Sequence, residues 1–140
     1  MNYYLDTSVI VSVLTEESHT ARSERWFADH GGSPKLISWW VDVEWSAAIS
    51  MKVRMGALDQ DGRALVETAF RQLVDASFTI VPVEHGHFVA ASDLARRSNG
   101  LRAGDALHLA VAGAQGATVC TLDAGMARAA ESLGLPVVLV

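Results

Sequence analysis

The chain has 140 residues, 50% hydrophobic and 19% charged, which is a globular composition that excludes a disordered protein and predicts one domain over residues 1–140. No apolar run approaches the ~20 residues that span a bilayer, so we expect a soluble, cytoplasmic protein with no membrane partner. The formal net charge of −5 argues against a nucleic acid partner unless bound cations offset the acidic residues.

Short runs rich in β-branched and aromatic residues alternate with helical patterns along the chain. The predicted strands are residues 3–5, 36–40, 78–83, 118–122 and 136–140. The predicted helices are residues 8–16, 18–30, 41–55, 61–75, 86–98, 103–114 and 124–133. Glycines fall just past several of the helical stretches, where helices commonly end. The alternation predicts an open, mostly parallel α/β sheet with helices on both faces.

Four acidic residues fall where these elements reach one edge of the predicted sheet. Asp6 ends the first strand, and Asp123 ends the fourth. Glu44 lies in the first turns of the helix after the second strand, and Asp105 lies in the first turn of its own helix. Ligands of open α/β sheets bind beyond the carboxyl ends of the strands, so we expect these residues to converge there. Asp42 lies two positions before Glu44 and on a different helix face, so at most one of the two is expected to reach the site.

Converging carboxylates repel one another and need a positive partner. Few Lys or Arg residues lie beside the four positions, so ion pairing is not expected to supply it. All-oxygen ligands suit one or two Mg²⁺ or Mn²⁺ ions. Zinc is disfavoured because the five histidines show no paired spacing and the one cysteine, Cys120, fits an ordinary buried strand residue. Divalent ions in an open carboxylate site favour hydrolysis of a phosphodiester.

Four segments of the sequence carry a resemblance to a known family. They are YLDTS at 4–8, VDVEWSAAI at 41–49, LRAGDALHLA at 101–110 and TLDAGMARAA at 121–130. In this order and spacing they resemble a PIN-domain nuclease, most closely the VapC-type toxins of bacterial toxin-antitoxin pairs. The resemblance implies a three-layer α/β/α sandwich and a Mg²⁺- or Mn²⁺-dependent endoribonuclease. It also implies a homodimer and a cognate antitoxin whose C-terminal segment covers the active site.

The resemblance also assigns roles to residues of this chain. The family's acidic quartet matches Asp6, Glu44, Asp105 and Asp123, and this register selects Glu44 rather than Asp42. Of these, Asp6 and Asp105 would be the firmest metal ligands, while Glu44 and Asp123 would hold or position a second ion. Hydroxyl residues that would steady the ligands match Thr7, Ser8 and Thr121, although helix capping and strand-end hydrogen bonding explain them equally well. The chain departs from the family after Asp123, where it runs Ala124, Gly125, Met126.

Several further side chains near these segments have two possible interpretations. For His108, three residues after Asp105, we favour a packing or hydrogen-bonding role over a phosphate contact. For the aromatic residues of the second segment, we favour core or dimer contacts over base stacking; these are Trp39, Trp40 and Trp45. The best candidates for phosphate contacts are Lys52, Arg54, Arg96, Arg97 and Arg102.

Other functions remain to be weighed against the nuclease. A phosphoaspartyl receiver needs two adjacent acids after the first strand, and an aspartyl-nucleophile phosphatase needs a D-x-D pattern, whereas here Asp6 is followed by Thr7 and Ser8. A housekeeping nuclease without a toxin role and a catalytically silent binding module of the same fold stay open. Acids at all four positions argue against the silent module, since nothing would otherwise keep repelling carboxylates together.

Overall fold

Five strands form one parallel sheet in the computed structural model, which describes all residues from 1 to 140. The strands are β1 (Tyr3–Leu5), β2 (Lys35–Ser38), β3 (Thr79–Val81), β4 (Thr118–Thr121) and β5 (Val137–Leu139). They lie in the order β3-β2-β1-β4-β5, and every neighbouring pair is parallel. The α/β sheet predicted from the sequence is confirmed.

Seven helices cover the two faces of this sheet. They are α1 (Thr7–Leu14), α2 (Thr20–Asp29), α3 (Trp39–Arg54), α4 (Gln60–Ser77), α5 (His85–Arg97), α6 (Ala103–Ala114) and α7 (Ala124–Ser132). Residues of α1 to α4 share one hydrophobic cluster with Tyr3 and Leu5, whereas residues of α5 to α7 share a second with Tyr4. Successive residues of a strand point to opposite faces, so the central strand β1 contributes to both clusters. The result is the predicted three-layer α/β/α arrangement.

All the predicted strands and helices are present, and their ends lie within two residues of the expected positions. The second strand was expected to include Trp39 and Trp40, whereas β2 ends at Ser38 and both tryptophans begin α3. The Ser38 hydroxyl accepts a hydrogen bond from the Trp40 amide at 3.3 Å, and this cap starts the helix earlier than the aromatic run suggests. Cys120 is fully buried in β4 as expected, and burial raises the pKa of its thiol to about 12. No helix combines the length and the hydrophobicity needed to cross a bilayer.

The strand order places a switch point between β1 and β4. The chain moves outward from β1 to β2 and β3, and then returns to the other side of β1 at β4. At such a point the connections leave the sheet in opposite directions and open a crevice at the carboxyl edge. Asp6 directly follows β1, and Asp123 lies two residues beyond the end of β4. The topology alone therefore brings these two acids to the same crevice.

We expect Ser38→Ala to lower the free energy of unfolding by about 2 kcal/mol, because it removes a helix cap and also a buried hydrogen bond to the Tyr4 hydroxyl. The matched control is Asp59→Ala, which removes the exposed cap of α4 and nothing buried. It should cost about 1 kcal/mol or less. Urea unfolding of both variants measures the difference, and equal losses would contradict a structural role for the Tyr4 contact.

Candidate active site

A cleft of about 650 Å³ opens at the carboxyl edge of the sheet, at the switch point. Its lining includes all four acids expected from the sequence: Asp6, Glu44, Asp105 and Asp123. They come from four different elements, since Asp6 precedes α1, Glu44 lies in α3, Asp105 lies in α6 and Asp123 precedes α7. The fold therefore collects the carboxylates as expected, and the contacts of each one show how their charges are tolerated.

Asp6 is the most buried acid of the cleft, with 6% of its surface exposed. Its Oδ2 atom accepts hydrogen bonds from the hydroxyls of Ser8 and Thr121, both at 2.8 Å. The same two hydroxyls accept from the backbone amides of Leu122 and Asp123, at 3.1 and 3.0 Å. Each hydroxyl is thus fixed by the backbone after β4 and in turn fixes the Asp6 carboxylate. The hydroxyls of Ser8 and Thr121 therefore bond to the backbone and to a carboxylate at the same time, so the two interpretations of these residues are compatible.

Glu44 reaches the cleft from α3, whereas Asp42 does not. The Glu44 Oε1 atom accepts a hydrogen bond from the Thr7 hydroxyl at 2.8 Å and a second from His108 Nε2. Asp42 lies on another face of the helix and forms an ion pair with Arg71, at 2.8 Å between Oδ1 and Nη2. Helical geometry allowed only one of the two residues to reach the site, the register of the resemblance selected Glu44, and in the structure only Glu44 lines the cleft.

His108 is fully buried and links Glu44 to the core of the sheet. Its Nδ1 atom lies 2.9 Å from the Tyr4 hydroxyl, which lies 2.8 Å from the Ser38 hydroxyl. An ionised carboxylate only accepts, so Nε2 carries the hydrogen that bonds Glu44. In the neutral ring, Nδ1 then accepts from Tyr4, whose oxygen accepts from Ser38. This series of hydrogen bonds supports the expected bonding role of His108 and fixes the orientation of Glu44.

Asp105 and Asp123 share one cation, the guanidinium of Arg102. Arg102 Nε donates to Asp105 Oδ2 at 3.0 Å, and Arg102 Nη2 donates to Asp123 Oδ2. The other oxygen of Asp123 caps α7 by accepting from the amides of Gly125 and Met126, at 2.7 and 3.0 Å. A Cβ at position 125 would lie 3.1 Å from that oxygen, so glycine suits the close approach. The departure from the family after Asp123 thus serves the cap of α7.

The expectation that ion pairing does not supply the positive partner of the acids is wrong for Asp105 and Asp123, which both pair with Arg102. Arg102 lies three positions before Asp105, a spacing that brings side chains together on a helix and could have been noticed in the sequence. Its contact with Asp123 joins residues that are 21 apart and comes only from the fold. The Tyr4 and His108 pairing, across 104 residues, had no signal in the sequence at all.

The other side chains singled out in the sequence divide between the cleft and the rest of the surface. Trp40 lines the cleft, Trp39 is exposed, and Trp45 is buried and stacked on Phe70 with ring centroids 4.5 Å apart. Lys52 pairs with Glu17, Arg54 is exposed, and both Arg96 and Arg97 lie within 4.0 Å of Asp93. Of the five candidate phosphate contacts, only Arg102 lines the cleft.

The pKa values of two acids shift in opposite directions. Burial would raise the pKa of Glu44. The hydrogen bonds from His108 and Thr7 and the positive charge of Arg102 outweigh burial and bring this pKa below its usual range. Burial raises the pKa of Asp105, and the bond from Arg102 offsets this effect only in part. The charge of Glu44 is therefore stabilised by its surroundings, whereas the charge of Asp105 is not.

The donor atoms of the cleft fit a hard divalent cation. One oxygen each of Asp6 and Glu44 lie within 4.8 Å of each other and of His108, whose Nε2 hydrogen is used to bond Glu44, and Asp105 and Asp123 already hold a cation in the form of Arg102. Carboxylate oxygens dominate this set, and such sets suit Mg²⁺ or Mn²⁺. The arrangement therefore has two halves, one built on Asp6 and Glu44 and the other on Asp105 and Asp123.

At pH 7 in EDTA, we expect Glu44→Gln to lower the melting temperature and Asp105→Asn to raise it, each by about 2–5 °C. The lowered pKa of Glu44 means that its charge stabilises the fold, a contribution that is lost as pH falls through the depressed value. The raised pKa of Asp105 means that its charge destabilises the fold at neutral pH, and this difference vanishes below the pKa of the unfolded chain. Thermal melts from pH 3 to pH 8 test this, and shifts of the same sign at pH 7 would contradict it.

No curated protein matches the chain. Among solved structures, it is similar to VapBC2 from Rickettsia felis bound to a DNA fragment from its promoter, with a TM-score of 0.72, 15% identity and coverage of 99% of this chain and 98% of that one. It is similar to FitAcB from Neisseria gonorrhoeae, with a TM-score of 0.70, 19% identity and coverage of 96% and 95%.

A third similar structure is VapC20 from Mycobacterium tuberculosis, a toxin that cleaves the sarcin-ricin loop, with a TM-score of 0.72, 15% identity and coverage of 99% and 98%. At these identities the similarity concerns the fold alone. The family model of the PIN domain, by contrast, matches residues 3–132 of the sequence. Because that match runs from β1 through α7, this chain belongs to the PIN domain family.

Proposed function

We propose that this chain is a divalent-metal-dependent endoribonuclease that acts as the toxin of a toxin-antitoxin pair. One observation carries the proposal: four carboxylates from four separate elements line a single cleft at the switch point of the sheet. Like charges gathered in one cleft destabilise the fold, and a site for divalent cations gives a reason to keep them together. Phosphodiester hydrolysis is the chemistry that such a site serves best.

The residues of the cleft have distinct roles in this proposal. Asp6 and Asp105 would be the firmest ligands of Mg²⁺ or Mn²⁺, and Glu44 and Asp123 would hold or position a second ion. Bound there, a divalent ion lowers the pKa of water to supply a nucleophile and offsets the charge on the leaving oxygen. The hydroxyls of Ser8 and Thr121 hold the Asp6 carboxylate in one orientation before any ion arrives.

Glu44 is held in the same manner from the opposite side of the cleft. Thr7 and His108 both donate to its Oε1 atom, which leaves Oε2 without a partner among the hydrogen bonds of the protein. That free oxygen lies beside α6, because a Cβ at Gly104 would be 3.2 Å from it. Glycine at this position keeps the space next to Oε2 open. A preorganised carboxylate with one unused oxygen suits a ligand that must bind without rearrangement.

Support for RNA as the substrate and for the toxin role comes from the similar structures. The protein from M. tuberculosis is a toxin that cleaves the sarcin-ricin loop, and the protein from R. felis is named VapBC2. A housekeeping nuclease of the same family would share the cleft and differ only in its biological role. A silent binding module would need neither the acids nor the hydroxyls that orient them, so the geometry favours an enzyme.

We expect the purified protein to cleave single-stranded RNA in Mg²⁺ or Mn²⁺ and to stop when EDTA is added. Asp6→Asn and Asp105→Asn should each lower the cleavage rate by at least about 100-fold, because each removes a proposed ligand and its charge. Sequencing the RNA ends identifies the cleavage sites, and circular dichroism shows whether each variant is folded.

The matched control for these variants is Asp93→Asn, which removes one exposed acid of α5 outside the cleft. It should cleave RNA as the wild type does. If folded Asp6→Asn and Asp105→Asn cut as well as the control, these residues are not the metal ligands. If cleavage continues in EDTA, the reaction does not depend on a divalent metal.

An exposed apolar stripe on α3 supports the proposal of an antitoxin partner. Residues at intervals of four along this helix are exposed, namely Trp39, Val43, Ala47, Met51 and Met55. Val43, for example, exposes 56% of its surface. The stripe begins next to Trp40, which lines the cleft, so a segment bound there could continue over the active site. Contiguous exposed apolar surface on a helix commonly marks a protein contact.

We expect Val43→Glu to prevent co-purification of a co-expressed antitoxin while leaving RNA cleavage unchanged, because it places a charge in the stripe and not in the cleft. Size-exclusion chromatography with light scattering of the protein alone tests the proposed homodimer, whose mass would be twice 15.0 kDa. The control for Val43→Glu in the co-purification experiment is Leu65→Glu, which adds a charge at another exposed apolar residue, in α4. Loss of the antitoxin from both variants would argue against a specific surface on α3.

A further inference from the structure

Arg102 occupies the half of the cleft that contains Asp105 and Asp123. It is the only Arg or Lys among the residues that line the cleft. Its guanidinium contacts Oδ2 of Asp105 at 3.0 Å and Oδ2 of Asp123. One side chain of this chain thus already bridges two carboxylates that the proposed function assigns to divalent cations.

We propose that Arg102 is an exchangeable counter-ion: it pairs Asp105 with Asp123 in the metal-free protein, gives way to the divalent cation, and then binds a phosphate of the substrate. The inference rests on the proposed function, because it assigns these two carboxylates to a metal. It goes beyond that function by giving Arg102 two successive partners. Arg102 is in this sense a positioning residue before metal binding and a substrate contact after it.

The contacts of Asp123 favour the exchange. Its Oδ1 atom accepts hydrogen bonds from the amides of both Gly125 and Met126, which uses the two acceptor positions of that oxygen. Only Oδ2 remains for a cation, and Arg102 already occupies one of its two acceptor positions. A metal ion and the guanidinium therefore meet at the same oxygen atom. Because two cations repel each other at such close range, binding of the ion through Oδ2 displaces Arg102.

The surroundings of Arg102 allow it to leave at little cost. Its side chain is 71% exposed, and ion pairs of exposed side chains are weak. Arg102 is the residue before α6, and its backbone is extended, so a rotation of its side chain does not disturb the helix. A divalent cation carries twice its charge and so has the advantage at these two carboxylates.

After the exchange, the guanidinium stays at the rim of the cleft. The extended backbone before α6 keeps Arg102 beside the acids, and its planar donors match two oxygens of a phosphate. The side chain would then supply positive charge next to a cleft whose other charged residues are mainly acidic. In this way an acidic protein could bind the RNA backbone at its active site.

Calorimetric titration of metal-free protein with Mn²⁺ tests the exchange without any measurement of RNA cleavage. We expect Arg102→Gln to raise the affinity for Mn²⁺ about fivefold, the factor that corresponds to loss of a weak ion pair. Arg102→Lys keeps the charge and loses the two-pronged contact, so it should also bind Mn²⁺ more tightly than the wild type. The control is Arg128→Gln, which removes an exposed arginine of α7 and should change the affinity by less than about 1.5-fold.

The outcomes separate competition from a general effect of charge. If Arg102→Lys binds Mn²⁺ as the wild type does, or if Arg102→Gln gains no more than Arg128→Gln, the exchange is overturned. Cleavage that is sensitive to EDTA would in that case still support the proposed function. If the wild type binds no Mn²⁺, both the proposed function and the exchange fail.

RNA cleavage at saturating Mn²⁺ tests the second partner of Arg102. We expect Arg102→Gln to raise KM about tenfold with less than a twofold change in kcat, because it removes a charged hydrogen-bonding contact to substrate. Tighter Mn²⁺ binding together with a higher KM is a pair of opposite effects that simple misfolding does not produce. A KM equal to that of the wild type would overturn the phosphate contact. The exchange itself would then be judged by the Mn²⁺ titration alone.

Discussion

Repulsion among four carboxylates is the constraint on which the rest of this structure depends. Parallel strands end at one edge of the sheet, and the switch between β1 and β4 opens a crevice there. Asp6 and Asp123 follow these two strands, while α3 adds Glu44 and α6 adds Asp105. The backbone fixes these positions, so the fold must compensate the charges where they lie.

The two halves of the cleft are compensated by different means. Around Asp6 and Glu44, buried hydroxyls and His108 donate hydrogen bonds at fixed positions, so this half is rigid and its geometry is set in advance. Around Asp105 and Asp123 the partner is the exposed side chain of Arg102, which can move. Under the proposed function, the rigid half suits a permanent ligand set, and the movable guanidinium suits exchange with a bound cation.

The core and the site are connected through Tyr4. This residue lies in the central strand, packs in the hydrophobic cluster beneath α5 to α7, and holds both Ser38 and His108 through its hydroxyl. The Ser38 hydroxyl also caps α3, the helix that carries Glu44. Packing of the sheet and orientation of Glu44 therefore depend on the same few hydrogen bonds, and a change in one is felt in the other.

The sequence by itself determined the order of strands and helices, since local periodicity and glycine stops depend on neighbours along the chain. It also determined which acids could meet, because the end of a strand and the face of a helix are local properties, and the register of the family resemblance favoured Glu44 over Asp42. Only the tertiary structure decided that Tyr4 bonds His108 and that Arg102 bridges Asp105 and Asp123. Such contacts join residues far apart in sequence, and their geometry is set by how the helices cross the sheet, which no local pattern records.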